Sequence, residues 1–269
     1  MSHSIIKQLE ELKKLNPLVH NITNLVVMNN TANALLALGA SPVMAHSPAE
    51  IKDILAISRS LVINIGTLSA SWIESMYQAA SYATSIGCPW VLDPVGAGIS
   101  TLRNGALKHL LSLQPTVIRG NASEVLALAD FSLATTKGVD STAPSSSALQ
   151  AALKLQDSYK SIICISGEID YIVSSKEIIE IHNGHILMTK VTGLGCTSSA
   201  LIGAFLGLRK DTLEETIAGV AVLSLAGELA AKTAKGPGSL QMYLLDVLYN
   251  LDTPTLQREL SIQRYGRRD

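Results

Sequence analysis

Leu61-Val62-Ile63-Asn64-Ile65, closed by Gly66, is a run too short for a helix and apolar but for Asn64. It is followed by a helical pattern from Ser69 to Ile86, stopped by Gly87, and then by a second short apolar run, Pro89–Leu92. A strand buried on both faces, a helix and another such strand form the unit of a parallel sheet.

The same alternation extends in both directions. Upstream, a helix is predicted over Ser4–Leu15, an extended segment over Pro17–Asn21, and a helix over Leu25–Leu38 ended by Gly39. A short strand follows at Ser41–Met44, and Ser47-Pro48-Ala49-Glu50 reads as the start of a helix running to about Ser58. Downstream come a helix at Leu102–Leu111, a strand at Thr116–Ile118, a helix to about Ala129 and a loop over residues 131–146. Then follow a helix at Ser147–Ser158, a strand at Ser161–Ile165, and two strands at Tyr171–Val173 and Glu177–His182. Helices at Cys196–Leu208, Leu213–Lys232 and Ser239–Leu248 complete the pattern. With no linker and no internal repeat, residues 1–269 read as one α/β domain: a mostly parallel central sheet with helices on both faces.

Composition narrows the function. The chain is 47% hydrophobic and 16% charged, with a net charge of −1, so it can build a large core and carries no broad basic surface for nucleic acid. The basic residues Arg264–Arg268 are expected to form a solvated end. Cys88, Cys164 and Cys196 are odd in number and widely spaced, which fits a reducing, cytoplasmic setting and neither a disulfide framework nor a zinc site. No membrane span stands out; the most apolar stretch, Thr216–Ala231, carries Glu228 and reads as a buried helix.

Polar residues collect where strands end. Asp93 closes one strand, Arg119 and Glu124 follow another, Ser166 a third, and Thr192-Gly193-Leu194-Gly195-Cys196 leads into a helix. In open α/β sheets that edge is the ligand crevice. A glycine-rich helix start offers free N–H groups and a positive dipole end to an anion. Two carboxylates, a guanidinium and an anion hole suit phosphoryl transfer, with Asp93 and Glu124 on Mg²⁺ through water and Arg119 on phosphate oxygens. Each residue also has a structural reading: Asp93-Pro94 as a turn starter, Glu124 as the capping partner of Asn121, Arg119 as a surface charge, and Cys196 as a buried thiol. Asn21–Asn24 reads equally as helix capping or as a ligand-facing segment. There is no GxGxxG dinucleotide fingerprint after an early strand, no Walker A sequence and no GxSxG elbow.

An ordered set of motifs resembles the hydroxyethylthiazole kinases. It comprises Pro17–Asn24, Leu36–Met44, Asn64–Leu68, Leu92–Gly98, Ile118–Glu124, Lys190–Cys196 and Gly236–Ser239, and covers about residues 17 to 240. The resemblance implies a ribokinase-like three-layer sandwich without a separate lid domain. It also implies ATP-dependent phosphorylation of 4-methyl-5-(2-hydroxyethyl)thiazole on its primary hydroxyl in thiamine salvage. Mg²⁺ is the implied cofactor, and the implied assembly is a homotrimer with the thiazole site between subunits. Carried over by motif, Met44, Gly193, Asn24 and Gly66 belong to the thiazole site. Arg119, Ser166 and Gly195 belong to ATP, and Asp93 and Glu124 to the magnesium and phosphate region. Cys196 stands where the wider superfamily has an Asp base, and its helix-start position is expected to lower its pKa, against the charge of bound phosphates. Leu194, between the two glycines, is bulkier than the small residue expected there. Two rivals remain open on the sequence: a sibling kinase acting on a pyrimidine alcohol, and a sensor that binds without chemistry.

Overall fold

In the computed structural model, which describes residues 2–132 and 144–267, the strands form one nine-stranded sheet. They are β1 Leu18–Ile22, β2 Ser41–Val43, β3 Ser60–Asn64, β4 Trp90–Asp93, β5 Val117–Asn121, β6 Ile162–Ser166, β7 Asp170–Val173, β8 Glu177–Ile181 and β9 Ile262–Gly266. Their order is β2-β1-β3-β4-β5-β6-β7-β8-β9, with the first six parallel and the last three joined antiparallel.

The side-chain alternation of each strand divides the core in two. On one face Val19, Val62, Val91 and Val117 meet α1 Ser2–Leu15, α2 Met28–Leu38, α8 Leu194–Leu206, α9 Thr212–Ala231, α10 Pro237–Asn250 and α11 Thr253–Glu259. On the other, Leu61, Ile63, Leu92 and Ile118 meet α3 Ile51–Ile57, α4 Ala70–Ser85, α5 Thr101–Ser112, α6 Ala122–Ser132 and α7 Pro144–Tyr159. Both layers exclude water from the central strands β3 and β4, which is why these read as nearly continuous apolar runs. α8 is buried from Thr197 to Leu206, so its sequence shows almost no polar face.

Helix starts follow local chemistry where a side-chain cap is made. Ser69 accepts from Trp72 N, Ser100 from Arg103 N, and Asp211 from the N–H groups of Leu213 and Glu214. Ser47 makes no helix cap. Residues 47–50 form a turn closed by Glu50 N on Ser47 O at 3.1 Å, and α3 begins only at Ile51. α2 likewise begins at Met28 rather than Leu25, because Asn24–Val27 is a turn, closed by Val27 N on Asn24 O at 3.3 Å. α8 starts two residues before Cys196, and a 3₁₀ turn, Ile186–Lys190, precedes it. The loop expected over 131–146 lies mostly outside the described residues, apart from the end of α6 and the start of α7.

The basic end is not a solvated tail. Residues 262–266 form β9 on the outer edge of β8. Arg264 pairs with Glu214 and, at 3.6 Å, with Glu177; Arg267 binds Asp157 at 2.6 Å. The helix α11 that precedes this strand has no counterpart in the sequence reading. Its signal is nonetheless present, because Asp252 caps it by accepting from Thr255 N at 2.9 Å.

Candidate active site

Four parallel strands end beside the first turns of α8. Asn64 of β3 is the register partner of Asp93 of β4, and Asn121 of β5 is the partner of Ser166 of β6. Asp93 is 1% exposed. Its Oδ2 accepts from Asn64 Nδ2 at 2.7 Å and from Ser199 Oγ at 2.8 Å, while Oδ1 has no hydrogen-bond partner. Burial pushes its pKa up to about 6; Glu124 adds to the rise, and Arg119, Ser199 and Asn64 oppose it.

The network continues toward the sulfur. Asn64 Oδ1 accepts from Asn24 Nδ2 at 2.8 Å and from Gly66 N at 2.9 Å. Asn24 Nδ2 also donates to Cys196 Sγ at 3.5 Å. A Cβ at Gly66 would stand 2.7 Å from Asn24 Nδ2, so this approach requires glycine. Ser199, Asp93, Asn64, Asn24 and Cys196 thus form one linked polar chain in an apolar surrounding, where satisfied hydrogen bonds fix a single geometry.

Cys196 differs from the sequence expectation. The helix start does not win: burial first, and then the negative charge of Asp93, push its pKa up to about 11. Hydrogen bonds from Asn64 and Asn24, and the charge of Arg119, pull the other way. At neutral pH the side chain is a thiol.

The anion side of the site is built from backbone and one cation. Gly193, with φ 82°, caps α8, and a Cβ there would stand 2.5 Å from Val27 Cγ1. A Cβ on Gly195 would stand 2.5 Å from Arg119 Nη1, so the guanidinium lies directly against the start of α8. Arg119 has no side-chain hydrogen bond or ion pair among the described residues, and its charge acts on Asp93 and Cys196. A guanidinium with free donors beside a helix N-terminus is an arrangement suited to phosphate.

Glu124 has a structural task as well as its position near Asp93. Its Oε2 accepts from Asn121 N at 2.9 Å while Asn121 Oδ1 accepts from Glu124 N at 2.9 Å, which is the capping arrangement. Its Oε1 accepts from Gly96 N at 3.0 Å and so holds the loop after β4. Ser166 is half-buried; Oγ donates to Gly120 O at 3.5 Å, and the residue lines a cavity of about 140 Å³ with Ala122, Ala148, Gly167, Glu168 and Tyr171. Met44 is half-buried just past β2, the edge strand beyond β1, and no described contact joins it to the Asp93–Cys196 chain.

Among the described residues no three His, Cys, Asp or Glu groups gather into a metal cage. The bare Oδ1 of Asp93, with Glu124 close by, instead fits a cation that keeps most of its waters. Three polar participants were not assigned from the sequence. Asn64 is the one polar residue in the run Leu61–Ile65, which is the signal that could have marked it. Ser199 follows Cys196 by three residues on α8 and so shares its face. Arg103 gives no sequence signal beyond a charge near a helix start.

This sheet, with its polar strand ends under a glycine-started helix, defines a ribokinase-like α/β protein. A pyridoxal kinase from Staphylococcus aureus shares the fold with TM-score 0.62 at 15% identity, covering 93% of this chain and 99% of its own. The chain belongs to the hydroxyethylthiazole kinase family, whose model matches residues 9–254. A hydroxyethylthiazole kinase from Syntrophus aciditrophicus is 52% identical over 247 residues, covering 91% of this chain and 92% of the relative. One from Vibrio parahaemolyticus is 49% identical, covering 96% and 97%. The solved structure of the Pyrococcus horikoshii protein of that name has TM-score 0.90 at 36% identity, covering 97% and 98%.

Proposed function

We propose that the chain transfers the γ-phosphoryl group of ATP to the primary hydroxyl of 4-methyl-5-(2-hydroxyethyl)thiazole, giving the thiazole phosphate and ADP for thiamine salvage. The observation that carries this reading is the polar chain from Ser199 through Asp93 to Cys196, lying beside the anion-ready start of α8 and Arg119. The family supports the reaction class, and the strand-end cluster is compatible with a task for each residue within it.

Arg119 and the N–H groups at the start of α8, Gly195 among them, bind the phosphoryl oxygens and meet the charge that builds on them. Ser166 and the cavity beside it take the rest of ATP. Mg²⁺, held through water by Asp93 and Glu124, would neutralise charge between the phosphates. The thiazole alcohol lies against Asn24, Gly66, Gly193 and Met44. Cys196, a thiol at neutral pH, orients the hydroxyl rather than deprotonating it in advance. That is compatible with phosphoryl transfer, whose loose transition state asks for alignment and electrostatics more than for a strong base.

The working form in this reading is a homotrimer with the thiazole site completed by a neighbouring subunit. Its support is the pair Leu25 and Val26, 68% and 62% exposed, adjacent to Val27, which packs against Gly193. Two bare apolar side chains at the rim of a polar site suit coverage by a second copy. Among the described residues no helix is long and apolar enough to cross a membrane, and a cytoplasmic enzyme fits the three free cysteines.

The test is product identification. Mass spectrometry and ³¹P NMR of a reaction with ATP, Mg²⁺ and the thiazole alcohol should show a phosphate monoester on the hydroxyethyl oxygen. Binding of both ligands by calorimetry with no ester formed would favour a sensor instead.

A further inference from the structure

Arg103, in the first turn of α5, places its guanidinium between two loops of the site rather than in solvent. Nη1 donates to Ile65 O at 2.5 Å and to Val95 O at 2.7 Å, and Nη2 donates to Gly66 O at 2.8 Å. All three acceptors are backbone carbonyls; no carboxylate pairs with Arg103 among the described residues. Two of the carbonyls belong to the loop after β3 and one to the loop after β4.

Both loops carry the site. On the β3 side, Gly66 packs on Asn24, whose amide reaches Cys196. On the β4 side, Val95 follows Asp93 by two residues, and the next residue, Gly96, is tied to Glu124. The first turn of α5 holds this loop a second time, since Asn104 Oδ1 accepts from Gly98 N at 2.9 Å. The last backbone bond between these two strands is Ile65 N on Asp93 O at 3.3 Å. Past that point Arg103 bridges the two loops. Its rigid planar fork satisfies three carbonyls at set angles, which a lysine ammonium on a flexible stem does not reproduce.

We propose that Arg103 is a positioning residue for phosphoryl transfer, fixing the alcohol-side loop and the phosphate-side loop at one separation across the site. The proposal rests on the assignment of those two loops to the alcohol and to the phosphates. Arg103 is not among the charges that perturb Asp93 or Cys196, so its effect runs through geometry. A misplacement of about 1 Å in a phosphoryl-transfer site costs on the order of 100-fold in rate.

The experiment compares full-length wild type, Arg103→Lys and Arg103→Ala. It reads kcat and KM for both substrates, thermal midpoint, and hydrogen exchange at residues 65–67 and 95–98. The expected result is a kcat lowered about 10-fold in the lysine variant and about 100-fold in the alanine variant. KM should move less than threefold and exchange should be faster in both loops only. Millimolar guanidinium should restore part of kcat to Arg103→Ala and do nothing for wild type. Wild-type kcat in either variant, or unchanged exchange in both loops, would overturn the proposal. If Arg103→Ala does not fold, Arg103→Lys, which keeps the stem and charge, carries the same comparison. A wild type without thiazole turnover would overturn the functional reading, while the exchange data would still decide the clamp.

Discussion

Ser199 Oγ donates to Asp93 Oδ2 at 2.8 Å across 106 residues of chain, joining α8 to the end of β4. With Asn64 on the same oxygen, the bond aims Asp93 so that Oδ1 is left bare. A buried carboxylate oxygen without a partner destabilises a fold unless something else binds there. The site therefore holds a cost in stability that a bound cation relieves.

That cost is measurable. In metal-free buffer the folded protein keeps the Asp93 proton to about pH 6, against 3.8 for an ordinary side chain. Folding therefore takes up a proton between those values. The contribution to stability is fully present below the lower pKa and is lost as pH rises through the upper one. Asp93→Asn, which has no charge to bury, should raise the thermal midpoint at pH 8 by the equivalent of roughly 2–3 kcal/mol, and should abolish detectable turnover. The gain should vanish near pH 4. A variant less stable than wild type at pH 8 would contradict the assigned strain.

Cys196 should behave as a buried thiol. With its pKa pushed up to about 11, iodoacetamide should label it at pH 8 at least 100-fold more slowly than a free cysteine, with the rate still climbing above pH 9. Peptide mass spectrometry separates it from Cys88 and Cys164. Fast labelling at pH 7 would mean an activated thiolate and return Cys196 to the role of base. In either case Cys196→Ala should lower the single-turnover rate, by about 10- to 100-fold, and leave the thermal midpoint within a few degrees.

Gly195→Ala tests the contact with Arg119. The added Cβ meets the far end of a flexible side chain, so the fold should tolerate it, while the guanidinium must move. KM for ATP should rise about tenfold with KM for the alcohol nearly unchanged, and Arg119→Ala should show the same pattern more strongly. Equal losses for both substrates would place Arg119 elsewhere in the reaction.

The edge strand separates small surface effects from a large packing effect. Asp157 is 58% exposed, and Arg267 keeps its bond to Gln156 without it, so Asp157→Ala should cost less than about 1 kcal/mol. Removing residues 262–269 strips the outer edge of β8 and uncovers its backbone groups. Scanning calorimetry should show a clearly lower midpoint for the truncated chain, and light scattering should show association. A truncated chain indistinguishable from wild type would contradict this.

The alternation of strands and helices was legible because the inner parallel strands are largely buried on both faces, and the last of these, Val117–Asn121 and Ile162–Ser166, end in polar residues that stand out. β9 was not legible: Gln263, Arg264 and Tyr265 on an outer edge have the composition of a solvated tail, and only tertiary pairing with Glu177 and Glu214 makes a strand of them. At the site, single residues at strand ends could be picked out, but their wiring could not. Asn64 and Ser199 matter through which atoms they face, and spacing does not encode that. The pKa of Cys196 went the other way from its helix-start position because burial is a property of the packed chain. Arg103 was silent for the same reason, since its partners are carbonyls of distant loops.

The most direct measurement is the initial rate of ADP release by wild type with ATP and Mg²⁺, compared among no alcohol, the thiazole alcohol and the hydroxymethylpyrimidine alcohol. Release should depend on the thiazole alcohol, at a kcat/KM at least about 100-fold above that for the pyrimidine. Release independent of any alcohol, or a preference for the pyrimidine, would contradict the proposed function.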